Sequence, residues 1–178
     1  MSGSTVGWDP ANWAKRHELL YTVQMNRLYH QKRERFFALM DRGGKALSLI
    51  FGTAAASSLL PTPEAKAFAG AVVAAATMPG LVFAWADKSR LHAELAADYA
   101  RLEAEVVAAG VMDAASINTI FAKSIQLGTK EPAGLSALIR LCQNEMAVAA
   151  GQPDKVYPLS WYERWFVHLF DFPRQHLS

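Results

Sequence analysis

Two neighbouring stretches without a charged residue constrain the fold of this 178-residue chain more than any other feature. They cover residues 46–63 and 67–86, with lengths of 18 and 20 residues, and only Glu64, Ala65 and Lys66 separate them. A helix needs about 20 apolar residues to cross the hydrocarbon core of a bilayer. The sequence therefore predicts a helical hairpin that enters a membrane and returns to the side it came from.

A buried hairpin in a soluble protein is the alternative, because both stretches are rich in alanine. Leucine, isoleucine and phenylalanine each favour insertion by roughly 0.3–0.6 kcal/mol, so the first stretch, which also contains serine, threonine and proline, is marginal alone. The second stretch contains the internal breaker Pro79–Gly80. Membranes tolerate such a breaker where neighbouring helices satisfy the freed backbone groups. We therefore favour the membrane interpretation.

Basic residues flank the charge-free stretches. Residues 27–45 contain six lysines or arginines against two acidic residues, and Lys88 and Arg90 follow the second stretch. Because positive residues favour the cytoplasmic side, we expect both termini in the cytoplasm and residues 61–66 outside. No phosphate-binding loop or nucleic-acid reader motif accompanies these residues, so we expect no nucleic-acid partner.

The remaining sequence predicts an all-α protein with three regions. These are an N-terminal cytoplasmic helix in residues 1–45, a transmembrane hairpin in 46–86, and cytoplasmic helices in 87–178. The single cysteine, Cys142, excludes an intrachain disulfide and a multi-cysteine zinc site. Residues 1–10 lack a basic region followed by an apolar core, so we expect no cleavable signal peptide.

Capping residues and glycines place the helix ends. Asp9 and Pro10 are suited to begin a helix that runs to residue 41, with a bend or break at Gly43–Gly44. Four- and three-residue spacings predict a seam on the next cytoplasmic helix, which can pack against the first helix or another subunit. The seam consists of Leu91, Leu95, Tyr99, Leu102 and Val106.

Further helix ends follow towards the C-terminus. Gly110 is expected to end the helix with the seam, Asp113 to cap a helix that stops at Gly128, and Gly151 to end a helix over residues 132–150.

The tail predicts an aromatic amphipathic helix that ends at Phe172–Pro173. Ser160 and Glu163 match a capping box at its start. One side of this helix is expected to carry Trp161, Tyr162, Trp165, Phe166, Leu169 and Phe170. Such a side suits a membrane interface, as does Trp85 at the end of the second stretch, but it equally suits docking on a helical bundle.

Catalytic patterns are missing from the sequence. The histidines, at positions 17, 30, 92, 168 and 176, include no pair with the spacing and acidic neighbour of a helical zinc site. We therefore expect neither enzymatic activity, nor a metal, nor a cofactor.

Small residues recur at four-residue intervals. One set, Gly44, Ser48, Gly52 and Ala56, begins just before the first stretch, and Gly70 and Ala74 lie in the second. Such stripes let helices approach closely. Pairing within one hairpin is the simple explanation, but small residues on more than one face favour a homo-oligomer. A ring of copies can then be lined by hydroxyl groups and pass water or ions. The candidates for this lining are Ser48, Thr53, Ser57 and Thr77.

The chain resembles the SLATT family of bacterial two-helix membrane proteins, over roughly residues 15–150. The resemblance lies in the basic segment Arg-Leu-Tyr-His-Gln-Lys-Arg-Glu-Arg at 27–35, the small-residue hairpin, Lys88, Arg90 and His92 on the next helix, and Leu-Cys-Gln-Asn-Glu at 141–145 followed by Gly151. It implies a membrane-active, pore-forming effector of a bacterial conflict system that senses nucleotides or phage. No catalytic residues are implied. We expect a trigger from outside this chain, which is either a signal or a partner such as a sensor protein.

The sequence thus predicts an oligomeric protein of the bacterial inner membrane that acts on lipid in phage defence. The alternative is a non-conducting adaptor, scaffold or prophage exclusion protein at the same membrane.

Overall fold

The computed structural model describes residues 9–56 and 60–172, which form helices connected by turns and loops and contain no strand. The all-α prediction is therefore confirmed. In chain order the α-helices are α1 (Pro10–Ala56), α2 (Pro63–Phe83), α3 (Trp85–Ala109), α4 (Ala114–Gly128), α5 (Ser136–Ala149) and α6 (Trp161–Phe166), with a 3-10 turn at Pro153–Lys155 before α6.

Helix α1 begins where its cap predicts but extends further than expected. The amide of Ala11 donates to the Asp9 carboxylate at 3.0 Å, which satisfies one free N–H of the first turn. The helix then continues through Gly43 and Gly44 to Ala56, so of the predicted bend or break at this position the break is wrong. Each glycine lowers helix stability by about 1 kcal/mol relative to alanine, but this cost does not interrupt a helix that is supported by packing.

The break between α2 and α3 falls at Ala84 rather than at Pro79–Gly80. Pro79 lies inside α2, where it removes one backbone hydrogen bond. Ala84 has φ 48° and ψ 51°, which is the left-handed conformation that often follows the last residue of a helix. One residue in this conformation ends α2, and α3 begins at the next residue.

The described residues divide into two compact units, one drawn from residues 9–31 and 94–172 and the other from 32–56 and 60–93. These divisions fall inside α1 and α3, whereas the sequence placed the region boundaries at residues 45 and 86.

The first unit has its core where α1, α3 and α4 meet. The predicted seam contributes Tyr99, Leu102 and Val106, which pack against Leu19 and Val23 of α1 in the same chain. The full cluster also contains Met112, Ile117 and Ile120. A second cluster joins Tyr29 of α1 to Ala137, Leu138 and Cys142 of α5 and to Val167.

Most of the predicted helix ends in this unit are confirmed. Gly110 and Gly151 have φ of 62° and 70°, and the Asp113 carboxylate accepts from the amide of Ser116 at 2.8 Å. Hydrogen bonds from the Ser116 side chain and amide lower the pKa of Asp113. Helix α5 starts at Ser136, later than predicted, and Leu135 before it is extended. The Leu135 amide donates to the Tyr29 hydroxyl at 3.1 Å.

The capping box of α6 is confirmed, but the helix is shorter than expected. The Glu163 carboxylate accepts from the Ser160 amide at 2.8 Å and from its hydroxyl at 2.7 Å. These bonds, with the Arg140 guanidinium 2.7 Å away, lower the pKa of Glu163. Helix α6 ends at Phe166, and turns rather than helix follow. Arg140 also donates to the Phe172 carbonyl at 3.2 Å, which fixes the end of these turns.

Candidate membrane-facing hairpin

In the second unit, the C-terminal part of α1 pairs closely with α2. A Cβ added at Gly44 would lie 3.0 Å from the carbonyl oxygen of Ala76, and one at Gly52 would lie 3.9 Å from Cγ2 of Val73. Ala69 is the one buried side chain of α2 among those described. The two helices therefore pack through small residues, and little side-chain volume lies between them.

The sides of these helices that point away from each other are apolar and exposed. Leu81 is 82% exposed and Leu49 is 70% exposed, although both are large aliphatic side chains. The same surface includes Leu47, Ile50, Phe68, Met78, Val82 and Phe83. Leaving apolar surface exposed to water costs roughly 25 cal/mol of free energy per Å² relative to burying it. Monomeric soluble proteins therefore rarely expose large contiguous apolar patches. This surface is therefore suited to contact with lipid or with protein partners.

Within the described ranges, one helix is long and apolar enough to cross a membrane. It is Pro63–Phe83, with 21 residues and a mean hydropathy of 1.5 over its best window, of which 6% is buried. The other predicted span includes residues 57–59, which lie outside the described residues, so a hairpin with two spans stays a prediction.

The two predicted small-residue stripes lie in different surroundings. Gly44 and Gly52 face α2 and Ser48 is half-buried, so the α1 stripe lies within the pairing of the two helices. Gly70 and Ala74 are exposed, and a Cβ added at Gly70 would meet no atom within 4 Å. The side chain of the remaining predicted stripe residue, Ala56, lies outside those described. An assembly role for either stripe stays a prediction.

The predicted lining hydroxyls donate to carbonyls of their own helices. Ser48 donates to Gly44 at 2.8 Å, and Thr53 donates to Leu49 at 2.7 Å. Thr77 donates to the Val73 carbonyl at 2.8 Å. These bonds satisfy the hydroxyl protons without water, so the side chains are compatible with lipid contact. Ser57, the fourth candidate, lies outside the described residues.

Basic and aromatic side chains gather where the apolar helices join the charged part of the same unit. The Arg33 guanidinium lies 4.4 Å from the ring centroid of Phe37, and the Lys88 ammonium lies 5.7 Å from it. His92, which is 1% exposed, stacks on Phe37 with centroids 5.7 Å apart. Trp85 is half-buried and stacks on Phe83 at 6.4 Å. Such a belt suits a membrane surface on the positive side.

In the first unit, the aromatic residues of α6 and the following turn lie largely in the open. Trp165 is 79% and Trp161 73% exposed, while Val167 is buried in the core. Tyr162, Phe166, Leu169 and Phe170 are exposed as well. All the residues predicted for this surface are thus accessible, which leaves lipid contact and docking equally open.

A buried polar cluster in the first unit was missed by the sequence analysis. Nε2 of His30 lies 3.1 Å from Oε1 of Glu131, and the Tyr99 hydroxyl donates to the same oxygen at 2.5 Å. The rings of His30 and Tyr99 stack with centroids 5.7 Å apart, and each residue is 1% exposed. Burial, and then the bond to Glu131, raise the pKa of Tyr99. No sequence spacing links these three positions, so only the fold could reveal them.

The described residues contain no group of three or more His, Cys, Asp or Glu side chains arranged to hold a metal ion. No family model, no curated protein and no solved structure matches the chain. The resemblance to the SLATT family therefore stays a prediction.

Proposed function

We propose that this chain is an integral membrane protein, held in the bacterial inner membrane by α2 and the end of α1, and that its oligomers permeabilise that membrane. The observation that carries the membrane part is the exposure of large apolar side chains along α2, in a helix with one buried side chain among those described. Twenty-one residues at 1.5 Å each span about 31 Å, close to the thickness of the hydrocarbon core.

Orientation follows from the charges at the base of the hairpin. Arg33 and Lys88 both lie against the Phe37 ring. In the chain, Arg33 belongs to the basic segment before residue 46, and Lys88 comes two residues after the second charge-free stretch. Placed on the cytoplasmic side, they put both termini in the cytoplasm.

Assembly uses the uncovered stripe of α2. Gly70 and Ala74 are exposed and small, so a helix of a second copy can approach the backbone of α2 there. The family resemblance supports the further step from assembly to a pore, with a separate sensor protein as trigger.

A non-conducting adaptor at the same membrane is the second candidate. It is favoured by the hydroxyl groups of Thr53 and Thr77, which bond to their own helices rather than presenting free donors. The exposed tryptophans Trp161 and Trp165 suit partner docking in such a role.

The membrane proposal is tested by one substitution at two exposed alanines. Ala75 lies on α2 and Ala97 on α3, and both are exposed, so arginine fits either in water. In a bilayer, arginine at the middle of a span costs about 2.5–3.5 kcal/mol, roughly 100-fold in the partition. We expect Ala75→Arg to reduce the carbonate-resistant membrane fraction and Ala97→Arg to leave it unchanged. A wild-type chain that stays monodisperse in buffer and does not float with vesicles overturns the proposal.

Assembly and permeabilisation are tested with a second matched pair. Ala74→Leu fills the uncovered stripe, whereas Ala97→Leu makes the same change on α3. We expect Ala74→Leu to abolish oligomers in detergent and dye leakage from vesicles, with membrane binding retained. The adaptor is favoured if the wild-type protein binds membranes but causes no leakage, and if cells that express it with its trigger keep their membrane potential.

A further inference from the structure

A groove of about 590 Å³ lies on the first unit, and all of its lining residues belong to that unit. It is lined by Tyr21 and Gln24 of α1, by α5 residues from Gln143 to Ala149, and by the segment after α5 that includes Gln152, Lys155 and Tyr157. We call it the Tyr21–Tyr157 groove. Its volume falls in the range of small-molecule sites.

One wall of the groove is held rigidly in place. The Asn144 side chain donates to the Tyr157 carbonyl at 2.8 Å and accepts from the Tyr157 amide at 2.7 Å. Asn144 is buried, and Gly151 turns the chain with a φ of 70° so that this segment returns along α5. Because this wall is already ordered, the protein loses less conformational entropy when a ligand binds.

The groove contains unused hydrogen-bonding groups. Oε1 of Gln143 is shielded from solvent and has no donor among the described residues. Gln24 uses its amide nitrogen to donate to Glu103 at 2.9 Å, which leaves its carboxamide oxygen for another donor. A buried acceptor without a donor is costly. A ligand that offers N–H groups can donate to the Gln24 oxygen, and to the Gln143 oxygen where rotation about χ3 turns it towards the groove.

The remaining lining groups define the rest of the ligand. Tyr21 and Tyr157 both line the groove and are 45% and 46% exposed, so the lining includes aromatic side chains against which a planar ring can pack. Met146 adds an adaptable apolar contact. Lys155 is exposed and has no carboxylate partner within 4 Å among the described residues, so it is available to an anionic substituent.

We propose that the Tyr21–Tyr157 groove binds a planar heterocycle that donates N–H groups and carries a negative charge. This goes beyond the proposed membrane function and does not depend on it, because every lining residue belongs to the first unit.

The test uses the full chain in mild detergent with ¹³C-labelled methionine methyl groups. Orotate is the probe, since it combines a planar ring, N–H donors and a carboxylate; uracil lacks the carboxylate, and benzoate lacks the N–H groups. We expect orotate to shift the Met146 methyl signal saturably and to leave that of Met112, in the core, in place. We expect the affinity for uracil and for benzoate to be lower than that for orotate by a factor of about 5 or more, because each lacks one kind of polar contact.

Variants separate the contributing groups. We expect Gln143→Met to weaken orotate binding about 5-fold, and Lys155→Met to make orotate bind no better than uracil. Lys123→Met is the control, because Lys123 pairs with Glu105 at 2.6 Å and does not line the groove. An unchanged Met112 signal shows that each variant is folded. The absence of a saturable Met146 shift with millimolar orotate, or equal binding of all three probes, overturns the proposal.

Discussion

Replacing Gly44 with alanine tests the close pairing of α1 and α2 more directly than any other single change, and Gly43 supplies a matched control. Both glycines lie inside α1, one residue apart. A Cβ at Gly43 would meet no atom within 4 Å, whereas at Gly44 it would lie 3.0 Å from the backbone oxygen of Ala76 and 3.8 Å from the Trp85 ring.

The expected magnitudes follow from this geometry. Alanine is favoured over glycine inside a helix by about 1 kcal/mol, and this gain applies at both positions. At Gly44 the carbonyl of Ala76 must also move by a few tenths of an ångström, and it belongs to the backbone of α2. Overpacking of this kind costs about 1–3 kcal/mol. Gly43→Ala should therefore raise the free energy of unfolding by about 1 kcal/mol. The free energy of unfolding of Gly44→Ala should be about 1–3 kcal/mol lower than that of Gly43→Ala.

Thermal unfolding followed by far-ultraviolet circular dichroism in one detergent measures this difference. For a chain of this length, 1 kcal/mol corresponds to about 2–4 °C in Tm. We expect Gly43→Ala to raise Tm by that amount and Gly44→Ala to leave it unchanged or lower it. Equal increases in Tm for both variants refute the close contact between Gly44 and α2.

Three further predictions concern a strained residue and two groups with shifted pKa values. Ala84→Gly should raise the free energy of unfolding by about 0.5–1 kcal/mol, because glycine adopts a positive φ without the penalty of a Cβ; no rise in Tm contradicts this. Folding raises the pKa of Tyr99 because the fold favours the protonated hydroxyl. The contribution of Tyr99 to the free energy of unfolding is therefore fully present below the ordinary tyrosine pKa and is lost as the pH rises above about 10. Tyr99→Phe, which cannot ionise, should remove this alkaline decline in stability but cost about 1 kcal/mol at neutral pH through the lost bond to Glu131. Since folding lowers the pKa of Glu163, its contribution to the free energy of unfolding is present above the ordinary glutamate pKa and is lost as the pH falls below about 4. Glu163→Gln should therefore reduce the decrease in stability at low pH, measured by denaturant titration at several pH values. An unchanged decrease refutes the role of the bonds from Glu163 to Ser160 and Arg140.

Much of the local structure was predictable because it depends on residues close together in the chain. The caps at Asp9, Asp113 and Ser160 each bond to amides within three residues, and the glycines at 110 and 151 end helices by their own conformation. The long helix through Gly43–Gly44 was not predictable in this way, since local propensity favours a break there.

The sequence by itself determined that the chain is helical, where most helices begin and end, and that residues 46–63 and 67–86 carry no charge, because these are properties of composition and spacing. Only the tertiary structure decided that Gly44 and Gly52 face α2 while Gly70 and Ala74 remain uncovered, since both stripes have the same spacing. It alone brought His30, Tyr99 and Glu131 together. The reason is physical: side chains far apart in the chain become neighbours only through the packing of whole helices, and no short-range pattern records which faces will meet.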